Sequence, residues 1–149
     1  MNPINVRAAL DAEAECVKQL KGALAAFGEG YVGAPRLTGG KLAGVNCWWF
    51  YVGGGESGNI PRNAPTVSLD MGAGIEGVYA DRARAWEMAF TVLGALPIKG
   101  GIVQTLFRDG NPTNVYDYFE LAERDGKHGL WRVSVPLRIA FNCQKGAGV

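Results

Sequence analysis

The 149-residue chain carries 15 basic and 14 acidic residues, a net charge of +1, with 48% hydrophobic and 19% charged positions. That balance fits one folded domain, 1–149, with a single core, and gives no bulk electrostatic reason to bind nucleic acid. No apolar run approaches the ~18 residues of a membrane span, and the opening MNPINVRAALDAEAE has no apolar signal core, so neither a membrane partner nor export by a signal peptide is expected.

Asn2-Pro3 starts a helix, since Asn caps and Pro suits the first turn. Val6, Leu10, Val17, Leu20, Leu24 and Phe27 then give an apolar stripe, and Gly28 and Gly30 end the helix, predicted over about residues 3–27. Residues 29–44 hold five glycines and read as irregular, with a short extended piece at Tyr31–Val32. Val45–Gly53 (VNCWWFYVG) is a strand by its β-branched and aromatic content, and GGGESGNIPRNAP reads as a long loop. Thr66–Met71 is another extended piece. A second helix begins near Ala80–Asp81, with Ala83, Trp86, Phe90 and Leu93 on one face, and closes at Pro97. GIVQTLF is a strand, RDGNPTN a turn and VYDYFELAE a strand. After DGKHG comes a last strand whose residues Trp131, Val133, Val135, Leu137, Ile139 and Phe141 alternate with Arg132, Ser134, Pro136, Arg138 and Ala140. The order predicts an α+β fold: a mostly antiparallel sheet of about five or six strands, packed by an N-terminal and a central helix.

Catalytic and cofactor motifs are weak. Gly72–Gly77 (GAGIEG) matches G-x-G-x-x-G, the pattern that lets backbone N–H groups hold a pyrophosphate at a helix N-terminus. The helix starts too late, however, and no acidic residue stands about 20 positions on to hold a ribose. This segment therefore reads as a loop, with nucleotide binding a distant alternative. GGGESG lacks the Gly-Lys-Ser/Thr ending of a phosphate loop. Asp117, Glu120 and Glu123 read as a solvated strand face and the single histidine, His128, as a surface residue. Cys16, Cys47 and Cys143 have no metal-ligand or disulfide spacing and read as reduced, mostly buried thiols. No catalytic residue, cofactor or metal is expected, and the chain is read as a non-enzyme.

The aromatic strands are more informative. Adjacent strand residues point to opposite faces, so Trp48 and Phe50 cannot share a side with Trp49 and Tyr51. One pair is core, and the other needs cover from the same chain or from another subunit. Tyr116 and Tyr118 raise the same question. Pro136 tolerates only a position without a ladder donor, and Arg132 and Arg138 stand on the second face of the last strand as permanent donors. Trp48, Trp49, Tyr51, Tyr116, Tyr118, Arg132 and Arg138 are thus the candidate subunit or partner interface.

Residues 80–143 resemble the closing portion of tail terminator proteins of lambda-like long-tailed phages. The likeness lies in a helix ending in ALPI, the strand GIVQTLF, a hairpin, and Gly129-Leu130-Trp131 opening the long alternating strand. The chain departs from that pattern over residues 28–65, where glycine is much denser. The resemblance implies a homohexameric ring in the virion, assembled in the host cytoplasm. Such a ring sits at the head-proximal end of the tail tube, stops tube polymerisation and offers a surface to the head completion or connector protein. Its partners would be its own copies, the tail tube protein and the connector. Another neck, tail-completion or tail-tube subunit is the alternative reading.

Overall fold

The computed structural model describes residues 7–33, 37–38, 41–42, 46–57, 66–117 and 130–144. Helix α1 spans Arg7–Ala23, and a 3-10 turn follows at Ala25–Phe27. Its buried stripe is Ala8, Ala12, Cys16, Leu20 and Leu24, one residue in every four, joined by Val17 and Phe27. Leu10, expected on that stripe, is 56% exposed. It lies about 200° round the helix from Ala8, and the small side chains at 8, 12 and 16 take its place by letting the helix approach the sheet closely. The predicted start, Asn2 to Val6, lies outside the described residues. Gly28 ends the helical segment at φ +88°, and a side chain there would run into the Asn46 carbonyl.

Strand β1 (Glu29–Val32) follows, and β2 (Leu37–Thr38) and β3 (Lys41–Leu42) form a separate two-residue hairpin. Strand β4 is Cys47–Ser57 and β5 is Thr66–Tyr79. Helix α2 is Arg82–Ala95, and then come β6 (Ile98–Gly100), β7 (Val103–Arg108), β8 (Asn114–Asp117) and β9 (Trp131–Gln144). The main sheet runs β1-β4-β5-β9-β7-β6, with β8 also on β9; β1–β4 is parallel and every other pair antiparallel. The architecture is α+β, two helices against a seven-stranded sheet.

The axis of the sheet is the ribbon of β5 and β9, paired without interruption from Thr66↔Gln144 to Tyr79↔Trp131. GAGIEG lies in the middle of this ribbon, with β4 on one side and β9 on the other. The loop expected there is a central strand. Its backbone N–H groups belong to two ladders, and the segment does not open a helix, so the phosphate-cradle geometry is lacking. The glycine run after Val52 likewise continues β4 to Ser57, through a register shift between Val52 and Glu56. At that irregularity Glu13 of α1 accepts the Val52 N–H at 3.1 Å.

Alternation sets the core. Trp48 and Phe50 from β4, Ile75 and Tyr79 from β5, and Val133, Val135, Leu137, Ile139 and Phe141 from β9 all face the helices and join one buried cluster. Trp48 leans over Gly30, where any side chain would overlap its ring. Tyr79 donates its hydroxyl to the Phe27 carbonyl at 2.8 Å, tying β5 to the end of the α1 segment. Asp81 caps α2 through the Ala83 N–H at 2.9 Å.

Helix α2 turns a different side inward from the one expected, and of the four expected residues Leu93 packs at the edge of the core cluster. Ala85, Met88, Ala89 and Val92 are buried, whereas Ala83 and Phe90 are exposed and Trp86 and Leu93 half-buried. Both sides are apolar, so periodicity identifies the stripe without saying which one meets the sheet. Of VYDYFELAE, Val115–Asp117 lie in β8 and the remainder falls outside the described residues; the short β6 was not expected.

Candidate assembly surface on the open sheet face

Both helices cover one face of the main sheet. The other is built from alternate residues of the same strands: Tyr31 in β1, Cys47, Trp49 and Tyr51 in β4, Asp70, Gly72, Gly74, Glu76 and Val78 in β5, Arg132 to Ala140 in β9, and Tyr116 in β8. Here a small second cluster of Cys47, Trp49, Val78 and Leu130 is buried, with Tyr31 and Tyr51 packed at its edge.

The register brings Trp49, Glu76 and Ser134 abreast and Arg132 one step diagonally away. Glu76 Oε2 accepts from the Trp49 indole N–H at 3.2 Å and from the Arg132 guanidinium at 3.0 Å. Arg132 also lies over the Trp49 ring, 5.5 Å from its centroid. One carboxylate, one guanidinium and one indole thus lock three strands together, with both charged side chains mostly shielded. Farther along, Arg138 meets Asp70 through Nε at 3.0 Å and NH2 at 2.8 Å, and this pair is much more open to solvent. Between the two ion pairs Tyr51 lies over Gly74, where a β-carbon would overlap its phenol. Burial raises the Tyr51 pKa above 10.0, the Glu76 charge adds to this and Arg132 partly opposes it. The hydrogen bond to Glu29, at 3.1 Å, is the main cause that raises Tyr31.

The seven candidate interface residues separate sharply. Trp49, Tyr51, Tyr116, Arg132 and Arg138 share the open face. Trp48 is on the helix side and only 1% exposed, so it is a core residue and not an interface residue. Trp49 is 3% exposed because Leu130, Val78, Tyr31 and Arg132 cover it within the same chain, which removes it as a direct contact. Tyr116 keeps 43% exposure and Tyr51 is half-buried. Tyr118, Glu120, Glu123 and His128 lie outside the described residues. Asp70 and Glu76, the acceptors that hold both arginines, were missed. The available signal was alternation: read as a strand, residues 70–78 place Asp70, Gly72, Gly74 and Glu76 on one face.

Pro136 is explained by the edge it occupies. Its carbonyl accepts the Asp109 N–H at 3.3 Å, so its nitrogen faces the same edge of β9. On that edge β7 pairs as far as Leu137 and β8 begins at Ser134, which leaves Pro136 at the seam between them. No ladder donor is required at this point.

Cys16 and Cys47 are buried thiols outside any disulfide; burial pushes Cys16 from 9.0 up to about 12 and raises Cys47 also. Protonated and enclosed, they are poor nucleophiles at neutral pH. Among the described residues no three His, Cys, Asp or Glu side chains stand together as a metal site. Compared with known proteins, the sequence matches no family model and no curated protein.

Proposed function

We propose that this chain is a structural assembly protein, a ring subunit of the tail-terminator kind, which works by presenting a shaped sheet surface and catalyses no reaction. The observation that carries the reading is the open face of the β4-β5-β9 sheet. There Tyr51, Tyr116 and the Arg138–Asp70 pair stand on a surface braced at one end by the Trp49–Glu76–Arg132 lock. Aromatic and arginine side chains held rigid on a broad strand surface suit protein docking, because little side-chain entropy is lost when a partner arrives. The resemblance of residues 80–143 to phage tail terminators supplies the kind of assembly. Copies of the chain form a ring, expected to be a hexamer, on the tail tube in the virion, and the head connector meets its other side.

Mass measurement by light scattering, alone and with tail tube protein added, tests this. The expected result is a closed ring that halts tube growth; Arg138→Glu reverses a charge on the docking face and lowers ring formation without unfolding the chain. Filaments of unlimited length would instead identify a tube subunit. A strict monomer that leaves tube growth unaffected would overturn the proposal.

A further inference from the structure

The turn between β7 and β8 holds a reactive pair of residues that the open sheet face does not absorb. Asp109 and Gly110 open the stretch 109–113, which runs from Arg108 at the end of β7 to Asn114 at the start of β8. Asp109 is half-buried, Gly110 is exposed, and nothing stands within 4 Å of where a Gly110 β-carbon would be. The Asp109 N–H donates to the Pro136 carbonyl at 3.3 Å, whereas the Gly110 N–H meets no acceptor among the described residues. The Asp109 carboxylate accepts from Asn111 Nδ2 at 3.1 Å, so it stays with the chain that follows it.

An aspartate followed by glycine carries its own electrophile and nucleophile. The next peptide nitrogen closes a five-membered ring on the side-chain carboxyl carbon, and glycine puts no β-carbon in the way. Elsewhere the fold blocks this chemistry. Asp11 lies inside α1, and Asp81 caps α2 with Arg82 following it. Asp70 lies in β5, paired on both sides, and is held by Arg138. Asn111 is followed by Pro112, which has no N–H. Among the described residues Asp109 is the one aspartate or asparagine that glycine follows.

We propose that Asp109-Gly110 is a site of isoaspartate formation in the folded protein, a self-modification that loosens β8. The Gly110 nitrogen attacks Cγ of the protonated Asp109 carboxyl. The N–Cγ bond forms, the Cγ–O bond breaks, and the departing hydroxyl leaves with the amide proton as water. Water then adds to the main-chain carbonyl carbon of the resulting succinimide and breaks its bond to nitrogen. The backbone now runs through Cβ and Cγ, the former main-chain carbonyl has become the free carboxyl, and no atom is gained or lost overall. One methylene has entered the main chain at the residue whose N–H meets Pro136, beside the seam from which β8 departs. The pairs Arg108↔Leu137 and Asn114↔Ser134 fix the two ends of the turn. A longer path between them relaxes the hold on the start of β8. The proposal does not depend on the ring.

Isoaspartate leaves the mass unchanged, so the readout is electron-transfer fragmentation of the peptide that contains residue 109. The full chain is incubated folded in buffer and, in parallel, unfolded in urea. The expected result is that Asp109 converts in the folded chain as readily as in the unfolded one, because nothing in the turn holds the Gly110 N–H. Gly110→Ala adds a β-carbon that meets nothing in the turn, so the variant folds as the wild type does. Crowding at the attacking nitrogen slows its conversion about fivefold. In converted protein, separated by ion exchange, the amides of Val115–Asp117 are expected to lose protection from hydrogen exchange while those of β7 keep theirs. A folded chain that keeps Asp109 intact while the urea-unfolded chain converts would overturn the proposal, since the turn would then shield the site. No conversion in either state, or Gly110→Ala converting as fast as the wild type, would overturn it equally. Unaltered exchange in β8 after conversion would overturn the loosening.

Discussion

The two faces of the main sheet use the same strands and opposite chemistry. On the helix side β9 contributes Val133, Val135, Leu137, Ile139 and Phe141, all fully buried. On the open side the intervening residues of β9 include Arg132 and Arg138, each matched to a carboxylate on β5. The first face is held by area removed from water, which is non-directional and tolerant of modest repacking. The second is held by a few directional bonds, whose value depends on how far water is kept away. Stability therefore rests on one side and surface shape on the other, and substitutions can address them separately.

The largest expected effect falls on the helix side. Phe50→Ala empties a fully buried ring site in the main cluster and is expected to cost about 3–5 kcal/mol in urea denaturation. A loss below 1 kcal/mol would mean that β4 is turned over, with Trp49 and Tyr51 inward.

Next comes an alkaline effect from the same side. The Cys16 thiol is raised from 9.0 to about 12 by burial first and then by Glu15 and Glu13. The folded state thus holds this proton more tightly than the unfolded chain. The stabilisation is complete below pH 9 and is lost as the pH climbs toward 12. At about 1.4 kcal/mol per pH unit the loss across that window is on the order of 4 kcal/mol. Tyr51, Tyr79 and Cys47 are raised too and act in the same direction, so Cys16→Ala should flatten the decline of unfolding free energy between pH 9 and 11 without abolishing it. An unchanged slope in that variant would show Cys16 to be solvated.

The smallest effects compare the two ion pairs of the open side. Arg132→Ala strips the shielded Glu76 of its cation and should cost about 1–3 kcal/mol, whereas Arg138→Ala opens a solvent-exposed bridge and should cost less than about 1 kcal/mol. The ratio of the two, read from thermal or urea unfolding, measures how much drier the Trp49 end is than the Asp70 end. Equal costs would remove the distinction between brace and docking surface.

Much of this was legible in the sequence where side-chain size alternates. The period-two pattern of residues 131–141 defines β9 and both of its faces, and the opposition of Trp48 and Phe50 to Trp49 and Tyr51 follows from strand geometry alone. Glycine defeated the reading elsewhere: in GAGIEG it suggested a loop, although glycines at 74 and 77 admit the Tyr51 and Tyr79 rings beside the strand. Alanine defeated it in α1, because Ala8 and Ala12 carry too little hydrophobic weight to outrank Leu10. The matching of Arg132 to Glu76 and Arg138 to Asp70 spans 56 and 68 residues and depends on a register that no local pattern states.

The seam at Pro136 divides one edge of β9 into two territories. Strand β7 holds the stretch from Leu137 to Phe141 and β8 the stretch from Trp131 to Ser134, and neither ladder crosses the proline. A fluctuation that peels β8 away therefore stops at the imino acid instead of unzipping β7, so the rim bearing Tyr116 can breathe while the deep half of the sheet stays closed.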